Sequence, residues 1–382
     1  MIPEGFSEIL KEELGADMAG TVIDALEAQP SVSIRLNPSK LAECPFPSAV
    51  PVPWSPFGYI LEERPSFTLD PLFHAGCYYV QDSSAMFAGH VFRRILPMLE
   101  PGAAVLDLCA APGGKSTDLA ASLRERFGDN FTLLANEVMH SRFGTLRANL
   151  ETWGDVRCGC VSRDPSAFGD TPLFDVILAD VPCSGEGMFR KDPRAVQEWS
   201  PETVEFCAAR SRRILADIWP ALKPGGYLIY STCTFNRREN DGTAEWIASE
   251  LGAEILQPED FPPTVKTKHG NLLLPGLVPG EGQYVSLLRK AGDLESMRRA
   301  DIFRLFNAAV PEAADTCLPM VNTDLETALK YLHGDAVVLP EGAPIGPVMI
   351  SYKGHALGQG KNLGKRCNNL YPKAKRIRMD IR

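Results

Sequence analysis

Two cysteines stand where an α/β chain would place its chemistry. Cys183 lies in DVPCSGEGMFRKDP (180–193) and Cys233 in YSTCTFNRREN (230–240), each just after an apolar run. A thiol whose pKa is lowered by a cationic neighbour is a nucleophile, and Arg190 and Lys191 follow Cys183 closely. One cysteine alone is most often an inert packed thiol. Two at neighbouring strand ends, with Asp180 just before the first, are hard to account for by packing alone. Pro182 and Gly185 impose an irregular loop around Cys183. On local residues alone, either thiol can be the attacking group.

A glycine turn lies upstream, in DLCAAPGGKS (107–116). Gly113 and Gly114 let the backbone turn tightly and approach a ligand, and the helix that follows offers free N–H groups. A phosphate loop needs G-x-x-x-x-G-K-[ST], but Cys109 occupies the first glycine position, so that reading fails. The other reading is a cradle for the amino-acid part of S-adenosylmethionine, with Asp107 facing its ammonium or a structural water. Glu137 closes the next apolar run. An acid there can accept ribose hydroxyls, or it is a solvent-exposed strand-end acid.

One reaction asks for all of these parts. Carbon 5 of cytosine is a poor nucleophile. A thiolate that adds to C6 makes C5 enamine-like and able to attack a methyl sulfonium. Charge then builds through N3, where an acid or hydrogen-bond donor helps, and a carboxyl group held protonated can serve. The base must also leave its stack.

The elements that would position these residues alternate. Apolar runs at 103–108, 132–137, 156–164, 174–180 and 227–233 read as strands. Helical patterns fill 115–128, 140–154 and 201–222, two of them closed by Gly128 and Gly154. The order predicts βαβ units and a parallel sheet. Asp107, Glu137, Asp164, Asp180 and Cys233 stand at strand carboxyl ends, where an open α/β sheet has its ligand crevice. KPGG (223–226) reads as a tight turn. Before this core, 31–40 alternates like a strand and 44–56 carries five prolines, so it reads as a loop or irregular edge. After it, 293–310 reads as a helix, and 336–340 and 347–354 as short strands.

The 382 residues allow two or three domains. The divisions expected are a small α+β domain at 1–76, a Rossmann-like catalytic domain at 77–291 and a small domain at 292–382. No apolar run is long enough to cross a membrane and the start lacks a signal-peptide pattern, so a cytoplasmic protein with reduced thiols is expected. No Cys-x-x-Cys pair occurs, and no metal site is expected. A monomer is the default. The net charge of -9 argues mildly against a nucleic-acid partner, but the chain is uneven. Lys353, Lys361, Lys365, Arg366, Lys373, Lys375, Arg376, Arg378 and Arg382 face only Asp380 in the last stretch, a local surface for phosphates.

Taken together, these motifs resemble the Nol1/Nop2/Sun family of RNA cytosine-5 methyltransferases over roughly residues 30–290. The wording SGEGMFRKDP and the basic tail look most like its bacterial 16S ribosomal RNA subgroup of the F type. The resemblance implies a Rossmann-like sheet with a small N-terminal α+β domain and a PUA-like C-terminal RNA-binding end. It implies S-adenosylmethionine as cofactor, held by Cys109, Ala110, Ala111, Pro112, Gly113, Gly114 and Lys115 with Glu137, Asp164 and Asp180. It implies Cys233 as nucleophile, Cys183 as the group that assists release, Asp180 beside the base and Lys191 near RNA. The subgroup usually carries a longer C-terminal region with a further small domain, so target choice can differ here. A transfer RNA methyltransferase and a non-catalytic ribosome-assembly factor are the alternatives. The intact Asp180, Cys183 and Cys233 argue against the second.

Overall fold

The structure is a computed structural model that describes residues 2–293, 301–312 and 317–381. Its first sheet contains β1 (Val32–Leu36), β2 (Val50–Pro51), β3 (Gly58–Leu61) and β4 (Tyr78–Val80), in the order β2-β3-β1-β4. The proline-rich stretch contributes only the two-residue edge strand β2, as a chain short of N–H donors must.

The central sheet is built from β5 (Ala103–Asp107), β6 (Phe131–Asn136), β7 (Cys158–Val161), β8 (Phe174–Asp180) and β9 (Leu222–Thr232), all parallel. Beyond β9 the sheet continues with antiparallel strands: β10 (Ala253–Ile255), β11 (Val265–Lys266), β12 (Asn271–Leu273) and β13 (Gln283–Lys290). The path runs β11-β12-β13-β9-β8-β5-β6-β7, with β10 beside β13. Both faces are covered, so strand residues alternate between two cores. Leu106, Leu134, Ile177 and Leu228 enter one core, while Val105, Leu133, Val176 and Ile229 enter the other.

The helix Phe6–Leu14 packs on the central sheet's core rather than on the first sheet. Phe6 meets Phe189 and Trp199 edge-on, at ring separations of 5.1 and 5.3 Å. The C-terminal unit holds β14 (Met320–Thr323), β15 (Gly346–Tyr352), β16 (His355–Asn362) and β17 (Cys367–Asn369), with the helix Leu325–His333. Its core is continuous with that of the first sheet: Ile34, Leu36 and Tyr78 share one apolar cluster with Tyr331, Val348, Ile350 and Tyr371.

Three local expectations change. KPGG is not a separate turn, because β9 begins at Leu222 and a register shift near Gly225 (φ 73°) absorbs the glycines. The 293–310 helix is only Ile302–Phe306 among the described residues. Asn307 then turns left-handed, and Ala309 pairs with Cys160 on β7. Residues 294–300 lie outside the described residues. The run 336–340 forms a single bridge, Val337 to Cys367, rather than a strand.

Candidate active site

The candidate residues gather at the carboxyl ends of β5, β6, β8 and β9, where an open α/β sheet has its ligand crevice. Asp107 ends β5 and is fully buried. One of its oxygens accepts from Ser116 Oγ at 2.6 Å and the other, Oδ1, has no partner. Burial, opposed by that hydrogen bond and aided by the charges of Asp180 and Glu137, pushes its carboxyl up to about 7. The loop then turns at Gly113 (φ 109°), where a side chain would be strained, into the helix Gly114–Phe127.

Backbone bonds shape this loop. Ala110 N–H donates to the Asn136 carbonyl at 2.8 Å and Gly113 N–H to Ala110 at 2.7 Å. The Pro112 carbonyl accepts from Asn149 at 2.8 Å and from the Tyr79 hydroxyl at 3.2 Å. From β1 the fully buried Arg35 reaches in, donating to Gln81 at 2.9 Å and to the Gly114 carbonyl at 3.1 Å, with Trp153 4.7 Å beneath it. Burial pushes the Cys109 thiol far up, so this cysteine stays protonated.

Glu137 follows β6 and is buried. Its Oε1 accepts from Met139 N–H at 2.8 Å. Its Oε2 makes no hydrogen bond, with the Arg142 guanidinium 3.4 Å away. Asn136, which sequence reasoning missed, ties three segments together. Its amide donates to the Leu108 and Arg163 carbonyls, both at 3.0 Å, and its oxygen accepts from Arg163 N–H at 2.9 Å. Asp164 is exposed. Its carboxylate caps the turn Pro165–Phe168 through Ser166 and touches none of the other site residues.

The two thiols meet. Cys183 and Cys233 are half-buried, and their sulfurs lie 3.2 Å apart in a hydrogen bond. That bond, and then burial, pushes the Cys183 thiol well up, and either sulfur can be the donor. Asp180, at the end of β8, accepts from Ser231 Oγ at 2.6 Å, Gln283 Nε2 at 3.1 Å and Lys115 Nζ at 2.8 Å. Burial alone would lower the Lys115 pKa. The Asp180 carboxylate, by its charge and its hydrogen bond, outweighs it, and the ammonium is held above the ordinary lysine value.

A second layer holds the thiol loops. Glu186 is buried under four hydrogen bonds, from Phe235 N–H (2.6 Å), Asn236 N–H (3.1 Å), the Asn236 amide (2.9 Å) and Trp199 Nε1 (3.0 Å). Glu239 accepts from Ser184 N–H at 3.0 Å and Asn236 at 2.8 Å. Burial, opposed by these bonds and aided by Glu186, pushes it up to about 7. Gly187 donates to the Cys233 carbonyl at 2.8 Å, and a Cβ there would sit 2.7 Å from the Glu281 carbonyl. Only glycine permits that approach. Lys191 is paired with Glu281 at 3.0 Å, and Arg190 with Glu281 at 2.7 Å. Both cations therefore brace the loop through Glu281.

A parallel sheet with an antiparallel extension, a glycine turn after β5 and an acid after β6 define a class, the S-adenosylmethionine-dependent methyltransferases. The fold is shared with a crystallised methyltransferase homologue from Pyrococcus horikoshii. Their TM-score is 0.63 at 26% identity, over 75% of this chain and 94% of that one. It is shared too with NSun6 from the same organism, solved with SFG, at a TM-score of 0.62 and 18% identity over 76% and 99%. Residues 95–289 match the 16S rRNA methyltransferase RsmB/F model, and the chain belongs to that family. Residues 2–83 match the N-terminal domain of 16S rRNA methyltransferase RsmF, and 319–377 match the methyltransferase RsmF PUA domain. Ribosomal RNA small subunit methyltransferase F of Cronobacter sakazakii is 35% identical over 321 residues, and that of Salmonella paratyphi C is 34% identical over 317. The match covers 78% and 77% of this chain. It spans 65% and 64% of the length of those relatives.

The donor set fits the cofactor of this class. A buried polar atom without a partner is costly and rare. Among the described residues, Asp107 Oδ1 and Glu137 Oε2 are two buried oxygens that receive no hydrogen bond, the second with the Arg142 guanidinium 3.4 Å away. The first suits an ammonium and the second a ribose hydroxyl.

Proposed function

We propose that the chain methylates carbon 5 of a cytosine in small-subunit ribosomal RNA, with Cys233 as covalent nucleophile. The observation that carries this reading is the sulfur pair, 3.2 Å apart, beside the Lys115–Asp180 ion pair. Family membership and the names of the relatives support ribosomal RNA as the substrate. When bound, S-adenosylmethionine supplies an electrophilic methyl group on its sulfonium.

The protein's own groups divide the remaining work. A Cys233 thiolate lies in the field of the Lys115 ammonium. Its sulfur forms a bond to C6, and the electron pair moves onto C5. Lys115, held by Asp180, is a hydrogen-bond donor for charge that builds on the ring. Asp180 has three donors of its own, so it suits acceptance from the exocyclic amine better than donation to N3. Once C5 is substituted, its proton must leave and the C6–sulfur bond must break. Cys183 keeps its proton and touches Cys233, so it can protonate the departing sulfur and take the C5 proton in exchange.

The test is methyl transfer from S-adenosylmethionine to small-subunit ribosomal RNA, read by bisulfite sequencing. One protected cytosine is expected. With Cys183→Ala, a protein–RNA adduct should survive denaturing electrophoresis, because release is slowed. Methylation at another atom, or no adduct, would overturn the reading.

A further inference from the structure

We infer that the cavity between β4, the helix His140–Trp153 and the C-terminal unit is a second nucleotide site. It would hold one unpaired base of the same RNA, and the inference rests on the RNA reading above. The cavity measures about 320 Å³ and is lined by Phe73, Tyr78, Tyr79, Trp153, Tyr371 and Lys375, among others. It draws on all three parts of the molecule and contains none of the thiol machinery.

Three features select an RNA base. The first is the walls. Five of the twelve lining residues carry large aromatic rings. Such faces stack any base, and single-stranded RNA is read largely this way. The second is open polar groups. Tyr78 spends its hydroxyl on Asp70 at 2.6 Å, and Tyr79 spends its own on Pro112. Trp153 and Tyr371 line the cavity, and neither the indole N–H nor the Tyr371 hydroxyl has a hydrogen-bond partner among the described residues. Neither atom is fully buried, so both are open to a ligand, and the edge of a base offers acceptors and donors.

The third is the charge at the rim. Among the described residues Lys375 pairs with Glu151, at 3.4 Å between half-exposed side chains, and Lys373, Arg376 and Arg378 stand beside it in the chain. An entering base brings a phosphate to that rim. The site also touches the cofactor cradle, since Tyr79 and Asn149 both line the cavity and both donate to the Pro112 carbonyl.

The test scans a single abasic nucleotide along the unpaired stretches that flank the methylated cytosine, and measures RNA affinity of the full chain. One position should cost the unaltered chain about tenfold, the size of one base–aromatic stack. Phe73→Ala should lose the same factor on intact RNA and nothing more on RNA abasic at that position. Phe73 also packs on Phe67 and Tyr78, so Lys375→Glu at the rim is the second variant. It should weaken binding several-fold and lower the salt slope by about 1. Strictly additive losses at every position, or full affinity in both variants, would overturn the inference. A chain that methylates cytosine but has no privileged abasic position would remove this site alone. A chain that methylates no RNA would remove the functional reading as well.

Discussion

Asp107 and Glu137, on the cofactor side of the crevice, are each buried with one oxygen that receives no hydrogen bond. Glu186, on the thiol side, is buried under four. The chain thus buries acids for two purposes. A saturated carboxylate ties backbone to backbone and fixes the loops that carry Cys183 and Cys233. A carboxylate left short of donors costs stability until a ligand supplies them. The contrast separates what holds the shape of the site from what waits for its ligand.

The largest effect should come where neither purpose is served. Cys233→Ala leaves every buried acid in place, so it should remove methyl transfer by more than about 10⁴-fold, as loss of a nucleophile does elsewhere. Calorimetry should still find S-adenosylmethionine bound. Turnover in this variant would dismiss Cys233 as nucleophile. Glu186→Ala strands four donors and should cost about 3 kcal/mol or more of folding stability, measured by chemical denaturation.

Asp107→Asn probes the opposite case. It should weaken cofactor binding roughly 10–100-fold, as expected for a lost hydrogen bond between charged groups, while the apo protein melts no lower at pH 7.5. If it melted as low as Glu186→Ala, the distinction between the two edges would collapse. The smallest effect is in pH. The folded carboxyl of Asp107 lies at about 7 against an ordinary 3.8, so the folded state holds the proton more tightly than the unfolded chain. Its contribution is fully present below pH 4 and is lost as pH rises through 7. Between pH 5 and 7.5 the apo protein should melt lower by roughly 2–4 °C, and Asp107→Asn should flatten that slope. Glu239, also near 7, adds the same sign.

The strand ends at Asp107, Glu137 and Asp180 were readable in the sequence because these strands are buried on both faces and the apolar runs end abruptly there. The pairing of Cys183 with Cys233 was readable only as proximity of two strand ends. That the two sulfurs come within hydrogen-bond reach depends on how the two loops pack, which spacing does not report. Glu186 and Glu239 were missed, though both sit inside the quoted motifs, because a buried acid and a surface acid look alike in a string. Strands β10 to β12 escaped because they are only two or three residues long, and of the four only β13 pairs with β9 directly. HALGQGKN has little strand propensity, yet β16 forms between β15 and β17, where the neighbours decide. Lys191, expected near RNA, is ion-paired with Glu281.

The apolar cluster common to β1, β4 and the C-terminal unit has a consequence for how the protein is made. Ile34, Leu36 and Tyr78 leave the ribosome early, and their partners Val348, Ile350 and Tyr371 leave it about three hundred residues later. At about 5–20 residues per second, the early face stays uncovered for roughly 15–60 s. Throughout that interval the nascent chain offers a ready surface to chaperones, and to other copies of itself.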